Sequence, residues 1–171
     1  MLVKQFALIT SAFLAVNLYT AVGIHVHYRN CSSAKPFLAD VAYVDVSCPK
    51  EPCILRKGTT VSCSIAFIPK KDISRGKLEI YGVLSHFAVP FLKMDACQGH
   101  NVHCPMKAGV QSLLKVKMEV KKVYPSLQVL VQLDLRNQLN ELVFCVQFPA
   151  RISQSAFQPQ DYHLSDIQME Q

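Results

Sequence analysis

Val61-Ser62-Cys63-Ser64-Ile65-Ala66-Phe67 alternates larger apolar side chains with small or polar ones at every second position. Side chains of an extended strand point to opposite faces in turn, so this run predicts a strand with one buried face. The period recurs downstream. Val116, Met118 and Val120 alternate with Lys115, Lys117, Glu119 and Lys121. Leu127, Val129, Val131 and Leu133 alternate with Ser126, Gln128, Leu130 and Gln132. Further strands are expected at Leu38–Val46, Lys77–Leu84 and Leu142–Phe148. Turn formers separate them at Lys57-Gly58, Pro69 to Gly76, Gln98 to Asn101 and Arg136 to Asn140. Short alternating strands with a turn every ten residues or so, and almost no helical period, predict an all-β fold. Two antiparallel sheets packed as a sandwich fit best.

The cysteines add long-range constraints. Cys48 and Cys53 form one tight pair, and Cys97 and Cys104 another. Cys31 and Cys145 stand one near each end. The local pairs suggest pinned turns and the outliers a clasp. A clasp closing so long a loop is worth roughly 4–5 kcal/mol in the chain-entropy picture. Spacing alone leaves about 105 arrangements of one free and six paired cysteines open. Cys63 shares its face with Val61, Ile65 and Phe67, so it is expected to be a buried free thiol acting as a small hydrophobe.

Paired cysteines need an oxidising compartment. Lys4, the apolar stretch Phe6–Val16 and the small residues Ala21-Val22-Gly23 predict a signal peptide over residues 1–23, cleaved before Ile24. The alternative is an uncleaved anchor, since Leu18–Val22 prolongs the apolar stretch. Residues 24–152 are long enough for one domain with its own core. Residues 153–171 turn Gln-rich and acidic, and a disordered polar tail is expected there. The net charge of +6 includes Asp161, Asp166 and Glu170 of that tail, so the folded part is more basic than the total. In a secreted chain such a surface suits anionic membranes or acidic sugars better than nucleic acid.

Other chemistry finds little footing. Ser85 lies beside His86, but no nucleophile elbow, carboxylate pair or recognisable Cys–His dyad accompanies them, and no enzyme is expected. Cys97-x-x-His100-x-x-His103-Cys104 has zinc-ligand residue types, yet an oxidised bridge excludes thiolate ligation. His25-x-His27 suits a solvated terminus better than a metal site. Neither metal nor cofactor is expected. Asn30-Cys31-Ser32 is a glycosylation sequon whose middle residue is itself a bridge candidate.

An ordered set of segments carries a family resemblance. These are Pro52-Cys53-Ile54-Leu55-Arg56-Lys57-Gly58, Val89-Pro90-Phe91, Cys104-Pro105, Val120-Lys121-Lys122-Val123-Tyr124-Pro125, Val143-Phe144-Cys145 and Phe148-Pro149-Ala150-Arg151-Ile152. In order and spacing the chain resembles the ML lipid-recognition family, and within it the soluble sterol-transfer members. The resemblance covers about residues 28–152. It implies an immunoglobulin-like sandwich with a lipid cavity between the sheets, and bridges Cys31–Cys145, Cys48–Cys53 and Cys97–Cys104. It implies a monomeric, secreted or lysosomal carrier of sterol or another lipid, handing its cargo to membranes or to a membrane sterol-transport protein. A secreted interaction or innate-immune protein recognising microbial lipid is the alternative.

The family's pocket positions fall on Phe91, Val120 and Tyr124. The apolar faces of the strands add Val61, Ile65, Phe67, Met118, Val129, Val131 and Leu133 as candidate lining. Such alternation ordinarily makes a filled core; a cavity needs the sheets to splay. A steroid-sized ligand burying roughly 400 Å² of apolar surface gains about 10 kcal/mol gross. Ordering and association take back a large part, leaving micromolar or tighter binding within reach without a charged contact.

Overall fold

The computed structural model describes residues 23–85 and 87–154. The signal-peptide expectation, His86 and nearly all of the expected tail lie outside them. Among the described residues there are ten strands and no α-helix. The strands are β1 (Ile24–His25), β2 (Arg29–Asn30), β3 (Ala39–Val46), β4 (Cys53–Arg56), β5 (Thr60–Pro69), β6 (Lys77–Leu84), β7 (Phe87–Asp95), β8 (Ser112–Glu119), β9 (Gln128–Arg136) and β10 (Leu142–Ser153).

They form two sheets. One runs β1-β3-β5-β8; the other runs β2-β10-β9-β6-β7, with β4 added to β10. All pairs are antiparallel except β4 with β10, which is parallel. This is the expected all-β sandwich with one parallel edge. That edge is a departure that alternation could not reveal, because pairing partners leave no periodic mark. The strand expected at Leu142–Phe148 continues to Ser153. Pro149 lies inside it without breaking it. The Cys145 carbonyl accepts from Cys31 on the outer edge of β10, and by alternation the Pro149 nitrogen faces the same edge. There it falls in the gap between the segments paired with β2 and with β4, where no N–H is needed.

The facing sides of the sheets supply the core. Val44, Val46, Val61, Cys63, Ile65, Phe67, Leu114 and Val116 come from one sheet, and Leu78, Ile80, Val131, Leu133, Leu135, Phe144, Val146 and Phe148 from the other; all are buried. Phe67 meets Phe144 edge-on across the layer, with ring centroids 5.1 Å apart. Three disulfides, Cys31–Cys145, Cys48–Cys53 and Cys97–Cys104, pin the sandwich. Cys63 is free and buried, and burial, with a smaller contribution from the charge of Asp45, pushes its thiol up to about 12.

Antiparallel order gives the sandwich two ends. At one lie the C-termini of β3, β6, β8 and β10 and the N-termini of β5, β7 and β9; the other holds the long 69–76 and 96–111 connections. Exposed edges are guarded. The loop closed by Cys97–Cys104 lies on the β8 edge, where the Lys115 N–H donates to the His100 carbonyl at 2.8 Å and Asn101 Nδ2 donates to the Leu113 carbonyl at 3.0 Å. Lys115 and Lys117 charge the same strand, which discourages pairing with a second chain.

Candidate functional site

The layer between the sheets is not filled throughout. At the first end a cavity of about 170 Å³ opens between the edge strands β7 and β8. Six of the sequence-expected residues line it: Val61, Phe91, Met118, Val120, Tyr124 and Val131. A second apolar cavity of about 200 Å³ adjoins it beneath the β6–β7 hairpin, and Val129 lines that one. Phe91, Tyr124 and Ile152 border both. The Phe91 and Tyr124 rings stack at a centroid distance of 5.2 Å and an interplanar angle of 22°, as a partition between the two spaces.

Local chain geometry sets that partition. The β6–β7 register shifts between Ile80 and Tyr81: Ile80 faces Leu92 while Tyr81 faces Pro90, so Phe91 is the extra residue of a bulge. A bulge re-aims its side chain, and here the ring turns into the layer. Gly82 receives it. A Cβ on Gly82 would lie 2.5 Å from Phe91 Cζ and 3.0 Å from Val129 Cγ2, so only glycine leaves room for the ring in this position. Val120, one residue past β8, is held by the 57–59 turn. The Gly58 N–H donates to the Val120 carbonyl at 2.6 Å, and the Val120 N–H donates to the Thr59 carbonyl at 2.9 Å. Gly58 has φ +77°, which a side chain would strain. Tyr124 follows from the 121–124 turn, whose Tyr124 N–H donates to the Lys121 carbonyl at 3.2 Å.

Three expected lining residues are elsewhere. Ile65, Phe67 and Leu133 are fully buried but border neither cavity. They sit farther along the same inward faces, where the two sheets are packed solid. Period-two patterning fixes which face a residue joins; where along that face the packing opens is a matter of three-dimensional fit. Sequence reasoning also missed Leu55, Leu92 and Ile152 of the first cavity and Leu84, Val89 and Leu127 of the second. Leu55 and Ile152 pair across β4 and β10, a parallel contact without a sequence signal. The alternating run that contains Leu127 carried one.

The rim differs from the walls. Phe87, Val89 and Val123 are 74%, 43% and 84% exposed, and all belong to the hairpin and turn that frame the opening. Glu119 and Lys121 border it, and the Lys122 chain passes over Gly58, its Cε 3.2 Å from where a Cβ would stand. Among the described residues Arg56, Lys57, Lys117, Lys121, Lys122 and Arg151 take part in none of the ion pairs. The paired cations, Lys70, Lys71, Lys77, Lys93, Lys107 and Arg136, are all toward the other end.

The other clusters have structural explanations. Cys97 and Cys104 are bridged, so their sulfurs are unavailable as thiolates, and His100 Nδ1 lies 3.2 Å from the Lys115 carbonyl. His25 pairs with Asp45 and stacks on Tyr43 at 5.0 Å. His27 pairs with Glu51 at 2.7 Å; the hydrogen bond to Glu51 raises the imidazole above its usual range, with Coulombic attraction adding to it.

Comparison with known proteins agrees with this architecture. Residues 25–152 match the ML domain family. The ecdysteroid-regulated 16 kDa protein of Manduca sexta is 38% identical over 130 residues, covering 73% of this chain and 87% of that protein. The NPC intracellular cholesterol transporter 2 of Canis lupus familiaris is 30% identical over 148 residues, 85% of this chain and 97% of that protein. Among solved structures, a Niemann-Pick type C2 protein from the Japanese carpenter ant superposes with a TM-score of 0.67 at 27% identity, covering 74% of this chain and 99% of that one. With all but the first and last residues of its strands inside the matched span and relatives alike across most of their length, the chain belongs to the ML domain family.

Proposed function

We propose that this protein binds and carries a lipid, with sterol as the favoured class, in the apolar space split by the Phe91–Tyr124 stack. The observation that carries the reading is the convergence of Phe91 from β7, Val120 just past β8 and Tyr124 from the turn that follows, on one opening in an otherwise packed sandwich. Cholesterol transport in the name of the relative from dog supports the sterol class. Each cavity alone falls below the ~300–1,000 Å³ of ordinary ligand pockets. Rotation of the two rings joins them and brings the space into the lower part of that range. The walls are almost wholly apolar, so ligand is selected by shape and length, and burial supplies the affinity. Tyr124, in the lining, offers a hydroxyl for a polar head.

Delivery follows from the rim. Exposed Phe87, Val89 and Val123 suit contact with the acyl boundary of a bilayer, and the unpaired cations suit anionic headgroups. Three disulfides fit an oxidising compartment, so the working site is the cell exterior or a secretory or lysosomal lumen.

The test is extraction of the purified full chain followed by mass spectrometry, with fluorescent-sterol titration alongside. Co-purified lipid and saturable sterol binding are expected. Bound lipid without sterol binding would move the assignment to another lipid class. Absence of both would leave the sandwich as an interaction module.

A further inference from the structure

We propose that Asn30 carries an N-linked glycan. Asn30-Cys31-Ser32 has the acceptor pattern, an asparagine two residues before a hydroxyl with no proline between. Pattern alone is weak, and the middle residue raises an objection: Cys31 is bridged to Cys145 in the folded chain. The order of synthesis answers it. Cys145 follows Cys31 by 114 residues. At about 5–20 residues per second the partner emerges roughly ten seconds later. The nearer Cys48 and Cys53, 5 residues apart, are each other's partners. Asn30 thus enters the lumen on a segment that its bridge does not yet hold, and glycosyl transfer precedes the bridge.

The folded protein has room for the product. Asn30 and Ser32 are exposed, and Asn30 belongs to a two-residue strand at the edge of the larger sheet. Arg29, its neighbour, makes the side-chain contact to that sheet, donating from Nε to Gln147 Oε1 at 3.1 Å. The site is also clear of the cavity. Asn30 stands opposite Val146, and Ile152 at the cavity lies six positions farther along β10, about 20 Å at strand rise. A glycan there shields the short edge around β2 from pairing with another chain and leaves the rim free.

The chemistry needs a lipid-linked oligosaccharide pyrophosphate as donor. Asn30 Nδ2 attacks the anomeric carbon, the C–O bond to the pyrophosphate breaks, and the amide loses one proton. The carrier leaves as its pyrophosphate.

The inference rests on the lumenal reading above, and the experiment separates the two. The full chain is expressed in insect or mammalian secretory cells, and the medium and cell fractions are run before and after peptide N-glycosidase. Expected is a single mobility shift with Asn30 converted to Asp. Asn30→Gln and Ser32→Ala abolish the shift, and Ser32→Thr keeps it. Bridged protein in the medium with an unmodified Asn30 overturns the glycan and leaves the lumenal reading standing. Cytosolic protein with reduced cysteines overturns both.

Discussion

The two ends of the sandwich are built from the same alternating strands and have opposite character. At the closed end the layer is filled by Phe67 against Phe144, with Ile73, Leu78, Met106 and Leu135 fully or almost fully buried around them. Several of its surface charges are paired: Glu79 alone contacts Lys93 at 2.8 Å, Lys77 at 2.9 Å and the Tyr81 hydroxyl at 2.6 Å. At the open end the layer holds two cavities, the cations are unpaired and apolar side chains stand in solvent. One end is filled, and the other leaves space unfilled at a cost in packing. A fold can host such a division because packing interactions are local, so filling one end fixes the sheets while the other stays open.

The largest expected effect tests that division directly. Phe144→Ala at the closed end removes a buried ring from a filled layer and costs about 3–5 kcal/mol. Phe91→Ala removes a ring that already borders empty space on both sides and costs clearly less, while sterol binding is lost. Chemical denaturation and fluorescent-sterol titration on both variants give the comparison. Equal stability losses would mean that the Phe91 ring is ordinary core and the two ends do not differ.

Glu79 gives the next effect, of roughly 1–3 kcal/mol for losing charge-assisted hydrogen bonds from a buried carboxylate. The hydrogen bonds from Lys93, then Tyr81, then Lys77, hold its carboxyl down at about 2. A depressed carboxyl stabilises the fold above its unfolded value, near 4.5, and this contribution disappears as pH falls through 2. The closed end therefore keeps this support in a mildly acidic lumen. Glu79→Gln lowers stability at neutral pH and flattens the loss between pH 4.5 and 2, read from denaturation midpoints at several pH values. An unchanged profile would remove Glu79 from the account of the closed end.

Much of the closed end and less of the open end was legible in the sequence. Period two located β5, β8 and β9, because a half-buried strand must alternate, and the buried face of Cys63 followed from the same rule. Residues Phe87–Asp95 hid a strand for a physical reason. This strand lies at an edge, most of it stays exposed or half-exposed, and the bulge at Phe91 breaks its alternation. The short β1, β2 and β4 take their strand form from neighbours far along the chain. Phe91 and Tyr124 were visible only through the family resemblance, whereas Val120 also stood on an alternating face with Val116 and Met118. Ile65, Phe67 and Leu133 look like Val61 and Val131 in sequence, and only their position along the strand puts them in the filled half.

A smaller effect on stability, with a large one on binding, is expected from Val120→Phe. Val120 borders the first cavity, so a larger side chain has space to enter. Stability should change by less than about 1 kcal/mol, against about 1–3 kcal/mol for overpacking a filled site. Sterol binding should vanish because the new ring occupies ligand volume. Comparing it with Val116→Phe sharpens the contrast, since Val116 is buried and borders neither cavity. Similar destabilisation by the two substitutions would mean that the open end is packed in solution.

The smallest effect on the fold should come from the rim cations. Lys121 and Lys122 are exposed and make no ion pair among the described residues, so Lys121→Glu with Lys122→Glu should shift stability by no more than about 0.5 kcal/mol. Lys121 borders the first cavity only at its rim and Lys122 borders neither cavity, so the apolar walls stay in place and sterol affinity in detergent-free solution should hold. Membrane association is where the proposed delivery would have them act. A cation near an anionic surface contributes about 1 kcal/mol, so reversing two of them should reduce binding to phosphatidylserine-containing vesicles by at least tenfold. Salt should weaken the parent protein's vesicle binding in the same direction, since the attraction is screened beyond about 10 Å at 0.1 M. Reversal of Lys70 and Lys71, paired with Asp40 and Glu141 at the closed end, serves as the control and should leave vesicle binding nearly unchanged. Equal losses from both reversals would show that net charge, rather than the open end, brings the protein to the membrane.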